Sequence, residues 1–196
     1  MPLEADAAPA AGLVHPTYDA AGPERMPGQE VRFVGAIKTA ELRHVGGLRF
    51  EARTGSGFEL AMDNESGGSA PRPMELLATA IGGCTAMDVI SILGKKRQDV
   101  SSYAVAVRAE QRDAHPHAFR RVEVIHEVTG PAIDPEAVHR AIELSATRYC
   151  SVSAGLASGI TEIHHRYRVV SPEGAEPIEG EAVVSGPGQI LPPDEP

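Results

Sequence analysis

Two residues carry the most reactive chemistry in this chain: Cys84 and Cys150, the only cysteines among 196 residues. A thiolate attacks electrophiles, oxidises to a sulfenic acid and closes disulfides. Cys84 sits in an apolar run from Met74 to Leu93, directly after Gly82-Gly83. Cys150 falls at the break between two stretches of helical pattern. A thiol inside a buried helix is either an inert small hydrophobe or a reactive group with arranged access. Asp88 follows Cys84 by four positions, so on a helix the two share a face. A carboxylate there disfavours a thiolate, and activation then requires a cation from elsewhere; alternatively Asp88 is paired with a base and holds structure. Glu75 precedes Cys84 by nine positions, and at about 100° per residue it points half a turn away. It suits the start of the helix, where negative charge is favourable. A helix opening just after Cys150 would aim backbone N–H groups at that thiol and favour its thiolate.

The other reactive side chains suggest less. His115 and His117 lie on a turn around Pro116, without further ligands at metal-site spacing. His164 and His165 are neighbours on an expected strand, so they face opposite sides and cannot share one metal. There is no CxxC, which leaves no zinc site of the usual spacing, and two cysteines are too few for a secreted disulfide scaffold. A net charge of −9 argues against nucleic acid or an anionic membrane as partner. The N-terminus has no basic region followed by an apolar core, so no signal peptide is expected. The run at 74–93 approaches the length of a membrane span. Its two carboxylates and paired glycines favour a buried helix in a cytoplasmic protein.

The elements that must position the thiols follow from punctuation and period. Residues 1–28 are rich in Ala, Pro and Gly and read as a flexible tail. The ordered domain spans 29–171, and 172–196 turns Pro/Gly/Glu-rich and reads as a second tail. A first strand is expected at 31–37, with a polar connection or another strand end over 39–47. A hairpin is expected over Leu48–Thr54 and Phe58–Met62, around Gly55-Ser56-Gly57. Pro73 starts the long helix, and Gly94 followed by Lys95-Lys96-Arg97 should close it. Two alternating stretches, 103–112 and 121–129, form a long hairpin. Asp134-Pro135-Glu136 opens a second helix, ending near Tyr149. Ile160 to Val170 is the last strand. Strands and helices segregate, which favours an α+β fold with an antiparallel sheet.

Pro73-Met74-Glu75-Leu76-Leu77, followed by Gly82-Gly83-Cys84-Thr85-Ala86-Met87-Asp88-Val89, resembles the OsmC/Ohr family of osmotically induced and organic-hydroperoxide-resistance proteins, in particular its YhfA-like branch. Lys96 to Val100, the His115-Pro116 turn, Leu144-Ser145-Ala146 and Tyr149-Cys150-Ser151-Val152 agree with it, so the likeness covers about residues 45–170. The resemblance implies an interlocked homodimer, its curved antiparallel sheet wrapped around two central helices, with active sites at the interface. It implies a thiol peroxidase that uses no metal or flavin. Cys84 matches the peroxidatic cysteine and Cys150 the resolving one. An external dithiol, lipoyl-type in part of the family, would reduce the disulfide. Two positions depart from the pattern. Met74 stands where the family's peroxidases carry a glutamate that assists an arginine, and Ser151 stands where a proline often follows the second cysteine. Glu75 and Asp88 are the nearest supporting carboxylates. Arg43, Arg49, Arg53 and Arg72 are the candidates for the arginine. The alternative functions are a non-catalytic redox-responsive or ligand-binding dimer, and a cysteine hydrolase or transferase with a histidine base.

Overall fold

The computed structural model describes residues 35–64 and 68–188. The expected tail at 1–28 and the start of the expected strand at 31–37 lie outside them. Residues 35–39 form no strand. From residue 40 onward the chain forms a three-stranded sheet, a four-stranded sheet and three helices.

The first sheet is a meander of β1 (Ala40–Gly46), β2 (Arg49–Thr54) and β3 (Glu59–Met62), antiparallel throughout. The β2–β3 hairpin is the one expected from Gly55-Ser56-Gly57. Of the two readings of 39–47, a polar connection or a strand end, β1 bears out the strand. The turn into β2 is made by Gly46 and Gly47 at φ of 137° and 53°, conformations that glycine adopts without a Cβ clash. β1 is exposed along its whole length, so it carries no hydrophobic alternation to announce it. Leu42, Leu48 and Phe58 are all more than half exposed.

α1 (Pro73–Lys95) follows. Pro73 occupies its first position, and the Glu75 carboxylate accepts the Arg72 backbone N–H at 2.7 Å. Its end differs from expectation. Gly94 lies inside the helix, and the left-handed residue is Arg97 at φ 57°. Gln98 N–H donates to the Leu93 carbonyl at 3.0 Å and Arg97 N–H to that of Gly94 at 2.9 Å. This pair of bonds is the Schellman closure, with arginine where glycine is usual. By length and composition α1 could cross a membrane, yet it packs along β4 and α2 in the fold.

The second sheet has the order β4 (Ser102–Gln111), β5 (Phe119–Thr129), β6 (Glu162–Val170), β7 (Ile178–Ser185). Two expectations are corrected here. The sheet is mixed, because β5 and β6 run parallel from Arg121↔Glu162 to Thr129↔Val170. The helices between them carry the chain back to the end where β5 began, which makes the connection a crossover. The second correction is β7, which lies within the expected tail and pairs antiparallel with β6 from Val169↔Ile178 to Ile163↔Ser185.

The crossover consists of α2 (Pro135–Leu144), a π turn over Ser145–Tyr149 and α3 (Ser151–Ala157). Asp134 caps α2 by accepting the Glu136 N–H at 3.0 Å, as its sequence predicts. The helices cover one face of the second sheet with two apolar clusters. One gathers Val89, Leu93, Val128, Val138, Ala141, Ile142 and Val169. The other gathers Ile81, Val122, Val124, Ala157 and Ile163. Polar residues interrupt the buried face between the clusters in each element. Thr85 lies between Ile81 and Val89 on α1, His126 between Val124 and Val128 on β5, and His165 between Ile163 and Val169 on β6; all three are fully buried. The core is therefore two apolar layers separated by a polar one.

Candidate active site

The long helix and the crossover bring the two cysteines together. Cys84 is half-buried near the middle of α1. Cys150 follows the π turn and is 2% exposed. Both are free thiols, and they lie near each other. The difference in access orders any reaction, since a molecule arriving from solvent reaches Cys84 and not Cys150.

Cys150 is the N-cap of α3 and accepts the Ser153 N–H at 3.4 Å, while its S–H is 3.1 Å from Ser153 Oγ. The expected gain in thiolate does not follow. Burial first, then the neighbouring Cys84, push the Cys150 thiol up to about 11, and the two Ser153 contacts only partly offset this. Below that range Cys150 is a neutral thiol.

Behind the thiols lies a set of hydroxyls that sequence reasoning missed. Ser145 Oγ donates to Asp88 Oδ2 at 2.9 Å and lies 3.0 Å from Thr85 Oγ1. A carboxylate only accepts, so the one Ser145 proton is committed to it and Thr85 is the donor to Ser145. The partner the structure gives Asp88 is thus a hydroxyl rather than the expected base. The available signal was Ser145 itself, a polar residue continuing the apolar stripe Ala137-Val138-Ala141-Ile142 of α2.

Glu75 is at the start of α1, bonded to the Arg72 backbone, nine positions from the thiol. Met74 packs against the second apolar cluster. Of the arginine candidates, Arg43 pairs with Glu51 at 2.5 Å and Arg49 bonds the Ser69 hydroxyl. Arg53 stands opposite Glu59 in register, and Arg72 is the N-cap residue of α1. Among the described residues these contacts do not include the Cys84 thiol.

The histidines are engaged elsewhere. His126 Nδ1 is 2.7 Å from the Tyr103 hydroxyl, and His126 Nε2 is 3.4 Å from His165 Nδ1. Burial first, then His165, holds His126 down at about 3. Burial first, then His164, holds His165 at about 4. His164 lies between Glu162 at 2.5 Å and Glu181 at 3.2 Å. His115 and His117 contact each other on their turn, with ring centroids 4.1 Å apart. Among the described residues no group of three or more metal-ligating side chains is assembled. None of these histidine contacts supplies a base to Cys84.

Comparison with known proteins gives the family. The family model for OsmC-like proteins matches residues 66–165. Protein YhfA of Escherichia coli K12 is 42% identical over 132 residues, which cover 67% of this chain and 98% of YhfA. The chain belongs to the OsmC-like family. A hypothetical protein from Aquifex aeolicus VF5 shares this OsmC-like fold at 28% identity and a TM-score of 0.63, over 70% of this chain and 98% of that one. An organic hydroperoxide resistance protein OsmC from Legionella pneumophila has a TM-score of 0.53 over 71% of this chain and 99% of its own. At 15% identity that likeness speaks for the OsmC-like fold alone.

Proposed function

We propose that this OsmC-like chain is a cysteine-based hydroperoxide reductase. The observation that carries the proposal is the nearness of a reachable thiol, Cys84, to an enclosed one, Cys150. In this reading the Cys84 thiolate attacks the distal oxygen of an organic hydroperoxide. The O–O bond breaks, the alkoxide takes a proton and leaves as alcohol, and Cys84 becomes a sulfenic acid. The Cys150 sulfur then attacks Cys84, forming the disulfide, and its proton leaves with the hydroxyl as water. An external dithiol, lipoyl-type in the reading we favour, reduces the disulfide to two thiols. The reaction needs no further cofactor.

We place the site in a homodimer in the cytoplasm, where thiols stay reduced. Support for the dimer comes from apolar surface that one chain leaves uncovered: Met87 at 72% and Ile90 at 41% exposure on α1, together with Leu42 on β1 and Leu48 and Phe58 in the turns of the first sheet.

The test is turnover of cumene hydroperoxide by the purified protein with a dithiol reductant. Wild type should turn over and Cys84→Ser should not. With the dithiol left out, Cys150→Ser should stop after one equivalent, with a sulfenic acid on Cys84. Undiminished turnover by Cys84→Ser would sink the proposal.

A second reading, a redox-responsive dimer without turnover, is favoured by Met74 and Glu75. The first is absorbed in the core and the second in a helix cap, so neither serves as a carboxylate beside the thiol. In that case a disulfide-bearing oxidant closes the Cys84–Cys150 bond by exchange, and peroxide with dithiol is not consumed.

A further inference from the structure

The thiol pair is held by more than the two cysteines. Cys150 does not continue α2; it ends a π turn whose closing bond runs from its own N–H to the Ser145 carbonyl, at 2.8 Å. Turns of this kind are rare, and they frequently occur at functional sites. The first residue of the turn is tied to α1 through its side chain, with Thr85 Oγ1 at 3.0 Å and Asp88 Oδ2 at 2.9 Å from Ser145 Oγ. Thr85 is the residue after Cys84, and Asp88 lies one helical turn beyond it. The connections form a continuous path. It runs from Cys84 along α1 to Thr85 and Asp88, across to Ser145 Oγ, and through the Ser145 carbonyl to the N–H of Cys150, the near neighbour of Cys84.

We infer that Ser145 is a positioning residue that holds the π turn against α1, and so sets how readily Cys150 closes the disulfide with Cys84. The inference rests on the thiol-pair reading for its biological use, but its geometry does not depend on peroxide being the oxidant. Ser145 touches neither sulfur through its side chain. It acts by fixing the backbone that carries one of them. Removing its hydroxyl frees the turn from α1 at two points, and the lost pre-organisation falls on ring closure. Closure itself consumes the sulfenic acid of Cys84 and the thiol of Cys150 and releases one water.

The test separates closure from peroxide chemistry. The intact protein is equilibrated in dithiothreitol redox buffers without peroxide, and the disulfide-to-dithiol ratio is read by alkylation and mass. Ser145→Ala should lower this ratio about tenfold at a fixed buffer, the equivalent of one net hydrogen bond. Ser145→Thr, which keeps the hydroxyl, should restore it. Thr85→Val should shift the ratio in the same direction, which keeps the test decisive if Ser145→Ala folds poorly. In parallel, one equivalent of cumene hydroperoxide is added with dimedone present. Ser145→Ala should then yield more trapped sulfenic acid than wild type. A wild-type ratio in both Ser145→Ala and Thr85→Val overturns the inference. If wild type ignores peroxide while the ratio still shifts, the peroxidase reading falls and the positioning role stands.

Discussion

Cys150 shows how burial can outweigh a favourable local position. It caps a helix and accepts a backbone N–H, yet desolvation holds it as a neutral thiol until about pH 11. Single residues elsewhere are also set by their bonding. Ser145→Ala strands the Thr85 hydroxyl in a site of zero exposure, and leaving such a donor unpaired costs about 1–3 kcal/mol. A urea titration of that variant should show the loss. Arg97 gives the opposite case. It adopts φ 57°, where a side chain is strained and glycine is not. Arg97→Gly should therefore raise the unfolding free energy by about 0.5–1 kcal/mol. A lower denaturation midpoint for that variant would contradict this account of how α1 ends.

α1 has two sides with different demands. Ile81, Gly82, Thr85, Val89 and Leu93 are buried against the second sheet and the crossover. A Cβ on Gly82 would lie 2.9 Å from Val107 Cγ2, so the helix rides close over β4 at this level. Gly82→Val should cost about 1–3 kcal/mol by overpacking, measured as a shifted thermal midpoint. The sheet beneath carries the His126–His165 pair, and the pH dependence it imposes has a definite sign. Both rings titrate near 6.5 when unfolded and well below that when folded, at about 3 and about 4. Between those limits the unfolded chain binds more protons, so stability rises with pH in that window. It is fully present above about 6.5 and is lost progressively as pH falls through 4 toward 3. The combined loss should be of the order of a few kcal/mol, and His165→Gln should flatten the slope of the urea midpoint against pH.

For the whole molecule, the uncovered apolar residues of α1 and of the first sheet set the expectation. One chain leaves Met87 and Ile90 facing outward on its most hydrophobic helix. If a second copy covers them, Met87→Glu should convert a dimer to a monomer in sedimentation velocity. A monomeric wild type would refute the dimer.

The amino-acid sequence alone determined whatever depends on neighbours along the chain. Pro73 and Glu75 start α1, Asp134 caps α2, Gly55-Ser56-Gly57 turns a hairpin, and Cys150 caps α3. These are short-range matters of φ preference and unpaired backbone groups. The motif around Cys84 likewise marked the OsmC-like family and the two cysteines. Tertiary structure decided the rest. β7 was hidden because an edge strand over Ile178–Ser185 stays half in water and needs little alternation. The parallel pairing of β5 with β6 was hidden because direction is set by the crossover and leaves no local mark. The bond from Ser145 to Asp88 joins residues 57 positions apart, and His126 meets His165 across 39. Polar side chains in apolar stripes signal that partners must exist, since burial without them is costly. Which partners they find is settled only when the helices close over the sheet.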